Sequence, residues 1–244
     1  MAILIISILC AGIFITALIW CGYRGYYFPM VVKRSTPGIC RVACVGDSIT
    51  YGFGIDNWFA YHYPRILQLL LGNQYYVVNF GLSGSTGMSS TKMSYRKFPH
   101  FRRSLRFQPD VLVIMFGSND ANLLNWQGKT QFLSEYRDLL LTYKSLHSNP
   151  EIFVMAPPLI HGNGKEYDIF NSNLSTIREC VFELVREFQL HVIDLYSETK
   201  ENPDWFQSDG GHPNAKGAIM IAQVVYEHIR RTSARTQAES VTCK

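Results

Sequence analysis

The sequence predicts an α/β protein in which a parallel sheet lies between two layers of helices. Strand-like apolar runs alternate with segments of helical periodicity along most of the 244 residues, and this alternation is typical of sheets with crossover helices. The strand-like runs are continuously apolar, as expected of strands that are buried on both faces. Hydrophobic residues make up 47% of the chain and charged residues 17%, so a substantial core can form.

The predicted elements follow in a regular order after a connector that runs to Pro37. Apolar runs predict strands at residues 40–45, 75–80, 111–116, 152–155 and 191–195, and a glycine follows each of the first three. Helical periodicity predicts helices at residues 58–71, 130–146, 169–188 and 214–231. Because the carboxyl ends of parallel strands share one edge of the sheet, where ligands bind, the residues after the strands are the candidates for a site.

The N-terminal segment differs in composition from the rest of the chain. Residues 2–22 carry no charge and are dominated by Ile, Leu, Ala and Phe, and a helix of about 20 apolar residues crosses a bilayer. A cleavable signal peptide has a basic start, a shorter apolar run and a small-residue cleavage site, so we predict an uncleaved anchor. The predicted organisation is a transmembrane anchor or signal-anchor at 1–23, a linker at 24–38, one domain at 39–232 and a disordered polar tail at 233–244.

The sequence leaves open the side of the membrane on which the domain lies. Arg24, Lys33 and Arg34 follow the apolar segment, and by the positive-inside rule they favour a cytoplasmic domain behind a single-pass anchor. A secreted or lumenal domain is the alternative, and cleavage of the segment would release a secreted protein. The glycosylation sequon at Asn173 is too short a motif to decide between them.

The charge distribution bears on nucleic-acid binding, and the cysteines bear on disulfide bonds. The formal charge of +4 is spread along the chain, and the densest basic stretch, residues 96–106, is interrupted by apolar side chains. We interpret this stretch as the solvated face of a helix and expect no nucleic-acid partner. Cys40, Cys44 and Cys180 are predicted to be free thiols of the core, with no disulfide framework.

Two motifs, far apart in the sequence, suggest a nucleophile and its base. Ser48 lies in Gly-Asp-Ser-Ile-Thr directly after the first predicted strand, where a turn presents its hydroxyl, although helix capping is the commoner use of serine there. Asp209 precedes His212 by three residues, across two glycines. That spacing lets the carboxylate accept a hydrogen bond from one imidazole nitrogen while the second imidazole nitrogen accepts a serine proton. A lone histidine, however, is more often a surface residue.

Two further motifs follow the second and third predicted strands. Residues 79–86 include Gly84, at which the backbone N–H can approach a ligand closely. Residues 117–120 include Asn119, whose amide offers two N–H donors to a developing oxyanion. Taken singly, the two motifs are explained by a tight turn and an Asx turn. The combination of four motifs in sequence order, three at successive strand ends and the last before the final helix, indicates an active site.

This set of motifs resembles the four blocks of the SGNH/GDSL hydrolase superfamily, over about residues 40–232. The resemblance implies a three-layer, flavodoxin-like SGNH hydrolase fold and hydrolysis of carboxylic esters without a metal or cofactor. It implies a catalytic triad in which Ser48 is the nucleophile, His212 the general base and then acid, and Asp209 the partner that orients His212.

The resemblance also implies an oxyanion hole. Its donors would be the backbone N–H groups of Ser48 and Gly84 and the side-chain amide of Asn119. Losing one such donor typically costs about 100- to 1,000-fold in rate. Asp47 adjoins Ser48, and we interpret it as structural because the triad already has its acid.

Within the superfamily, the sequence looks most like the sialate O-acetylesterase-like and acetylxylan-type carbohydrate esterases. That likeness rests on residues 119–122 with 125–126, on the Pro157-Pro158 turn that leads to residues 162–164, and on the Asp-x-x-His-Pro-Asn sequence at 209–214. We therefore predict a small-molecule or glycan substrate that carries O-acetyl groups. Trp126 could stack on a sugar ring and Asn122 or Asn163 could bond its hydroxyl groups, while packing of a loop is the alternative role for Trp126.

Two other functions compete with this prediction. A membrane-associated lipase or lysophospholipase would give the apolar segment a purpose and would need an acyl channel. The candidates to line that channel are Phe53, Ile55, Trp58 and Phe59. We expect these four side chains to form the core face of the next helix instead. A non-catalytic SGNH binding module is the third function, and loss of the serine or the histidine would indicate it, but both residues are present.

Overall fold

A five-stranded parallel sheet forms the centre of the computed structural model, which describes residues 38–162 and 168–242, with side chains to residue 232. The strands are β1 Cys40–Gly46, β2 Tyr75–Gly81, β3 Val111–Met115, β4 Glu151–Ala156 and β5 His191–Asp194. Their order across the sheet is β2-β1-β3-β4-β5, and all four neighbouring pairs are parallel. The five predicted strands are therefore confirmed.

Helices cover both faces of this sheet. They are α1 Ser48–Tyr51, α2 Trp58–Tyr61, α3 Tyr63–Leu71, α4 Pro99–Phe107, α5 Lys129–Lys144, α6 Asn171–Phe188, α7 Leu195–Thr199 and α8 Ala215–Thr242. Helix α4 lies within the basic stretch and buries His100 and Phe107, while Arg102 and Arg106 are exposed. Arg102 and Arg106 thus lie on a solvated helix face, as predicted, whereas Arg103 is half-buried and Arg96 and Lys97 precede the helix.

Alternate residues of the strands pack into two separate cores. On β1, Ala43 and Val45 pack on the face that α4, α5 and α6 cover, whereas Val42 and Cys44 pack on the face that α3 and α8 cover. Burying a side chain such as Val42 or Val45 contributes roughly 1.5–3 kcal/mol, which explains why these runs form interior strands. Cys44 and Cys180 are buried free thiols and Cys40 is a half-buried one, as expected.

The helix predicted at residues 58–71 is instead two helices, α2 and α3, which separate at His62. The backbone of His62 is extended, with φ −68° and ψ 142°. Pro64 has no N–H to donate to the preceding turn, so a continuous helix would lose a hydrogen bond there. His62 begins a new helix, because its Nδ1 accepts a hydrogen bond from the backbone N–H of Arg65 at 3.2 Å.

The structure differs from the prediction near the C-terminus and does not describe the predicted N-terminal segment. The last helix was predicted to end at Arg231 before a disordered tail, but α8 continues to Thr242. Residues 233–242 contain neither glycine nor proline, so no residue there favours an end to the helix. The predicted membrane segment at 1–23 lies outside the described residues and stays a prediction. Within residues 38–162 and 168–242, every helix is too short or too polar to cross a bilayer.

Three strands end side by side at the carboxyl edge of the sheet. Gly46, the last residue of β1, is paired with Gly81 of β2 and with Met115 of β3. The turns that follow these strands are consequently neighbours. Three of the four sequence motifs lie in these turns.

Candidate active site

Ser48 is the first residue of helix α1, directly after the turn that follows β1. Asp47 caps this helix, because its Oδ1 accepts a hydrogen bond from the Ile49 N–H at 3.0 Å. The turn is tight: a Cβ on Gly46 would lie 2.3 Å from Thr50 Oγ1. The first N–H groups of a helix have no partner within the helix, so the backbone N–H of Ser48 is placed to donate to a ligand. The Ser48 residue is 7% exposed.

His212, in the loop before α8, faces Ser48 across the edge of the sheet. Its Nε2 lies 2.9 Å from Ser48 Oγ, and its Nδ1 lies 2.7 Å from Asp209 Oδ2. The side chains of His212 and Asp209 are only 14% and 12% exposed. The structure therefore brings the three predicted triad residues into one hydrogen-bonded series, although 164 positions separate Ser48 from His212.

Asp209 is held as a carboxylate by its hydrogen bonds. Its Oδ1 accepts from the backbone N–H groups of Gly211 and His212, each at 2.9 Å. Burial by itself raises the pKa of Asp209, but these bonds and the contact with the imidazole outweigh burial and hold the pKa below its usual value. A carboxylate at Nδ1 keeps the proton on that nitrogen and leaves Nε2 to accept the proton of Ser48.

Gln207 fastens the loop of His212 to the loop that follows α1. Its backbone N–H donates to the His212 carbonyl at 2.8 Å, and its Nε2 donates to the carbonyls of Phe53 at 2.8 Å and Pro213 at 3.0 Å. The ring of Phe53 consequently lies 5.0 Å from the His212 ring, measured between centroids. Sequence analysis missed Gln207, because a glutamine in a loop gives no signal of a partner 154 positions away.

Gly84 and Asn119 lie in the turns after β2 and β3. Gly84 has φ +76°, while an added Cβ would meet nothing closer than 3.8 Å, so its backbone conformation, not lack of space, favours glycine. The Asn119 side chain donates one N–H to the Ser85 carbonyl at 3.0 Å, which fixes the amide and leaves its other N–H for a ligand. Both donors lie at the same edge as Ser48, and their role in an oxyanion hole stays a prediction.

The residues predicted to contact a sugar have mixed placements. Asn122 Oδ1 accepts a hydrogen bond from the Leu124 N–H at 2.8 Å, which shapes the segment after Asn119. Trp126 is half-buried, and its ring packs on the core with its centroid 6.3 Å from that of Phe132. Asn163 lies outside the described residues. Binding of a sugar by these three residues stays a prediction.

The four candidate residues for an acyl channel differ in exposure. Ile55 is buried in the core and Trp58 is half-buried. Phe53 and Phe59 are 45% and 72% exposed. The expectation that all four form the core face of the next helix is therefore wrong for Phe53 and Phe59.

A three-layer α/β fold with a Ser–His–Asp series at the carboxyl edge of its sheet has the arrangement of a serine hydrolase. The model of one protein family, described as the GDSL-like Lipase/Acylhydrolase family, matches residues 44–218. The chain belongs to this family. The superfamily resemblance drawn from the four motifs is thus confirmed.

Individual relatives include esterases of several kinds. The acetylxylan esterase of Xylanibacter ruminicola is 31% identical over 212 residues, which cover 78% of this chain but only 43% of that esterase. The thioesterase 1/protease 1/lysophospholipase L1 of Escherichia coli is 25% identical over 179 residues. The matched region covers 73% of this chain and 77% of the Escherichia coli protein. A carbohydrate acetylesterase structure from Sinorhizobium meliloti, 16% identical, superposes with a TM-score of 0.63 over 79% of this chain and 99% of that one, which confirms the fold.

Proposed function

We propose that this protein is a serine esterase that hydrolyses O-acetyl groups on carbohydrates or related small molecules. The observation that carries the proposal is the series from Ser48 Oγ to His212 Nε2 at 2.9 Å and from His212 Nδ1 to Asp209 Oδ2 at 2.7 Å. This geometry suits a nucleophile whose proton is removed by an oriented base.

In this proposal the reaction proceeds in two halves. Ser48 Oγ attacks the ester carbonyl carbon while His212 Nε2 takes the serine proton, and the tetrahedral intermediate then expels the alcohol, which receives that proton. Water attacks the resulting acyl-serine with His212 again as base, so that acetate leaves and Ser48 regains its proton. Asp209 stabilises the imidazolium that forms in each half.

An oxyanion hole made of Ser48, Gly84 and Asn119 would stabilise both intermediates. The Asn119→Ala variant is expected to lower kcat about 100- to 1,000-fold, because the amide interacts most strongly with the charge that develops in the transition state. Steady-state kinetics on an acetyl ester measure this loss. Asn73→Ala removes an exposed amide at the opposite edge of the sheet and should leave kcat unchanged; a similar kcat in both variants would exclude Asn119 from the hole.

The packing beside Ser48 supports a short acyl group. The space beneath Ser48, between α1, α3 and α8, is lined by apolar side chains, among them Ile49, Ile55, Tyr63 and Ile221. All four are buried in the core. An acetyl group needs no channel there, whereas a long acyl chain would have to displace packed core side chains at a cost. Similarity to an acetylxylan esterase supports a carbohydrate as the alcohol part.

Hydrolysis of acyl esters of increasing chain length tests this proposal. For p-nitrophenyl acetate, butyrate and octanoate, we expect kcat/KM to be highest for the acetate and at least about tenfold lower for the octanoate, since each unaccommodated methylene is costly. Acetylated xylan and acetylated sugars are the next substrates. A preference for the octanoate would contradict the acetylesterase.

A lipid esterase is the second candidate, and the apolar surface near the site favours it. Leu123 and Leu124, in the segment after Asn119, are 56% and 91% exposed, and Phe53 beside His212 is 45% exposed. A similar protein from Escherichia coli is named a lysophospholipase, among other activities. Under this alternative the acyl chain would lie on the exposed surface, and octanoyl or longer esters would be preferred.

A further inference from the structure

Two buried carboxyl groups flank the candidate site without taking part in the proposed reaction. Asp47 precedes Ser48, and Asp120 follows Asn119; both are 0% exposed. Each therefore lies one residue from a group that would bind the oxyanion. A buried carboxyl must be either neutralised or well supplied with hydrogen-bond donors, so the partners of each oxygen indicate where a proton resides.

The two carboxyl groups differ in their hydrogen-bond donors. Both oxygens of Asp120 are satisfied, since Oδ1 accepts from the Met88 N–H at 2.9 Å and Oδ2 from the Gly87 N–H at 3.1 Å. Asp47 Oδ1 accepts from the Ile49 N–H, but its Oδ2 is buried without a hydrogen-bond partner among the described residues. An unpaired, buried carboxylate oxygen is far more costly than a neutral acid group. The geometry thus favours a carboxylate at Asp120 and a carboxylic acid at Asp47.

The electrostatic surroundings agree with this division. Burial raises the pKa of Asp47 to about 7, opposed by the bond from Ile49 and assisted by the charge of Asp120. Burial raises the pKa of Asp120 to about 6, opposed by its bonds from Met88 and Gly87. Burial thus raises both pKa values, and the two N–H donors of Asp120 oppose burial where Asp47 has one such side-chain bond.

The other ionisable groups near Asp47 do not neutralise it. Tyr63 of α3 and Tyr136 of α5 both face Asp47, and burial raises the pKa of each phenol, so that both are neutral. His212 approaches from the C-terminal loop through Ser48. Among the described residues that act on Asp47, no lysine or arginine supplies a compensating charge.

We propose that Asp47 holds a proton in the active protein and acts as a positioning residue beneath Ser48, so that loss of this proton switches hydrolysis off. The neutral acid keeps the cap on the Ile49 N–H without adding charge. Ionised Asp47 would place a buried negative charge, with no donor on Oδ2, one residue from the Ser48 N–H, which is expected to bind the oxyanion. The charge of Asp120 is instead stabilised by the N–H groups of Gly87 and Met88. The Asp47 carboxylate and the oxyanion would both be negative, and like charges repel strongly in a low-dielectric interior. This inference rests on the proposed esterase function.

The pH dependence of kcat in an isosteric variant tests this role. For the wild type, we expect kcat to fall by about tenfold per pH unit once Asp47 ionises, above about pH 7. Asn at position 47 cannot ionise and still offers an oxygen to Ile49, so Asp47→Asn should remain active and lack this decline. Asp47→Ala, which removes the cap as well, should be slow at every pH. Asp56→Asn changes an exposed carboxyl and should follow the wild-type profile.

Stability provides a readout that does not depend on activity. The folded-state pKa of Asp47, about 7, lies above its ordinary value of 3.8, so the folded protein keeps a proton that the unfolded chain releases between these values. Wild-type stability should therefore fall relative to Asp47→Asn as pH rises from about 4 to about 7, and the difference should then level off. Thermal unfolding of both proteins across this range measures it.

The outcomes separate this inference from the proposed function. Parallel kcat profiles for wild type and Asp47→Asn, or a folded Asp47→Asn protein that is inactive at every pH, would overturn the positioning role. A stability difference that does not vary with pH would overturn the buried proton itself. If hydrolysis does not depend on Ser48, the esterase proposal fails, and the unfolding experiment still decides the protonation of Asp47.

Discussion

Replacing Ser48 with alanine is expected to lower kcat for acetyl esters by about 10⁴-fold or more without unfolding the protein. The hydroxyl is the group of Ser48 that would be acylated and then regenerated, and its Oγ lies 2.9 Å from His212 Nε2. The backbone N–H of residue 48, which begins α1, is unaffected by the change. Steady-state turnover together with circular dichroism and thermal unfolding measures both parts of the expectation.

A second serine gives the matched control for this variant. Ser208 is exposed and adjoins Asp209, so Ser208→Ala removes a hydroxyl close to the site without touching the proposed nucleophile. Its turnover should equal that of the wild type. Turnover in Ser48→Ala within about tenfold of the wild type would exclude covalent catalysis by Ser48.

Replacing Asp209 with asparagine is expected to lower kcat by about 10⁴-fold, nearly as much as losing the nucleophile. The asparagine amide can still accept from the Gly211 and His212 N–H groups, but its NH₂ would donate to Nδ1 of His212. The imidazole would then carry its proton on Nε2, where it can no longer accept the serine proton. KM should change little, because Asp209 bonds His212 and lies away from the substrate.

An exposed aspartate in the same region controls for the change of charge. Asp204 forms an ion pair with Lys216, and its side chain is 63% exposed, so Asp204→Asn should retain wild-type kcat. Steady-state kinetics at neutral pH measure kcat for both variants. Equal turnover in Asp209→Asn and in the wild type would show that Asp209 does not set the imidazole tautomer.

The sheet could be predicted, and the contacts among Ser48, Asp209 and His212 expected, because the signals for both lie in short stretches of sequence. A buried parallel strand requires a continuous apolar run, and residues 40–45 and 111–116 supply such runs. Ser48, Asp209 and His212 lie in short motifs whose residue types match a single chemistry. The break at His62 was missed although Pro64 was visible, because the apolar periodicity of residues 58–71 continues across it.

Long-range contacts account for most of what sequence analysis missed. Gln207 is hydrogen-bonded to Phe53, 154 positions away, and Asp120 to Met88, 32 positions away. Neither a glutamine nor an aspartate indicates such a partner by its residue type. The surroundings of Asp47 were equally hidden, since its adjacency to Ser48 says nothing about the unpaired Oδ2. Contacts of this kind depend on how the turns meet at the sheet edge, which only the assembled fold determines.

Covalent labelling tests most directly whether His212 activates Ser48. A fluorophosphonate reacts with activated serine hydroxyls, and mass spectrometry of the digested full-length protein locates the adduct. We expect one phosphonate on Ser48 in the wild type and loss of labelling in His212→Ala, since the hydroxyl then has no base. An unlabelled Ser48 in the wild type, or equal labelling of Ser48 in His212→Ala, would contradict a serine esterase activated by His212.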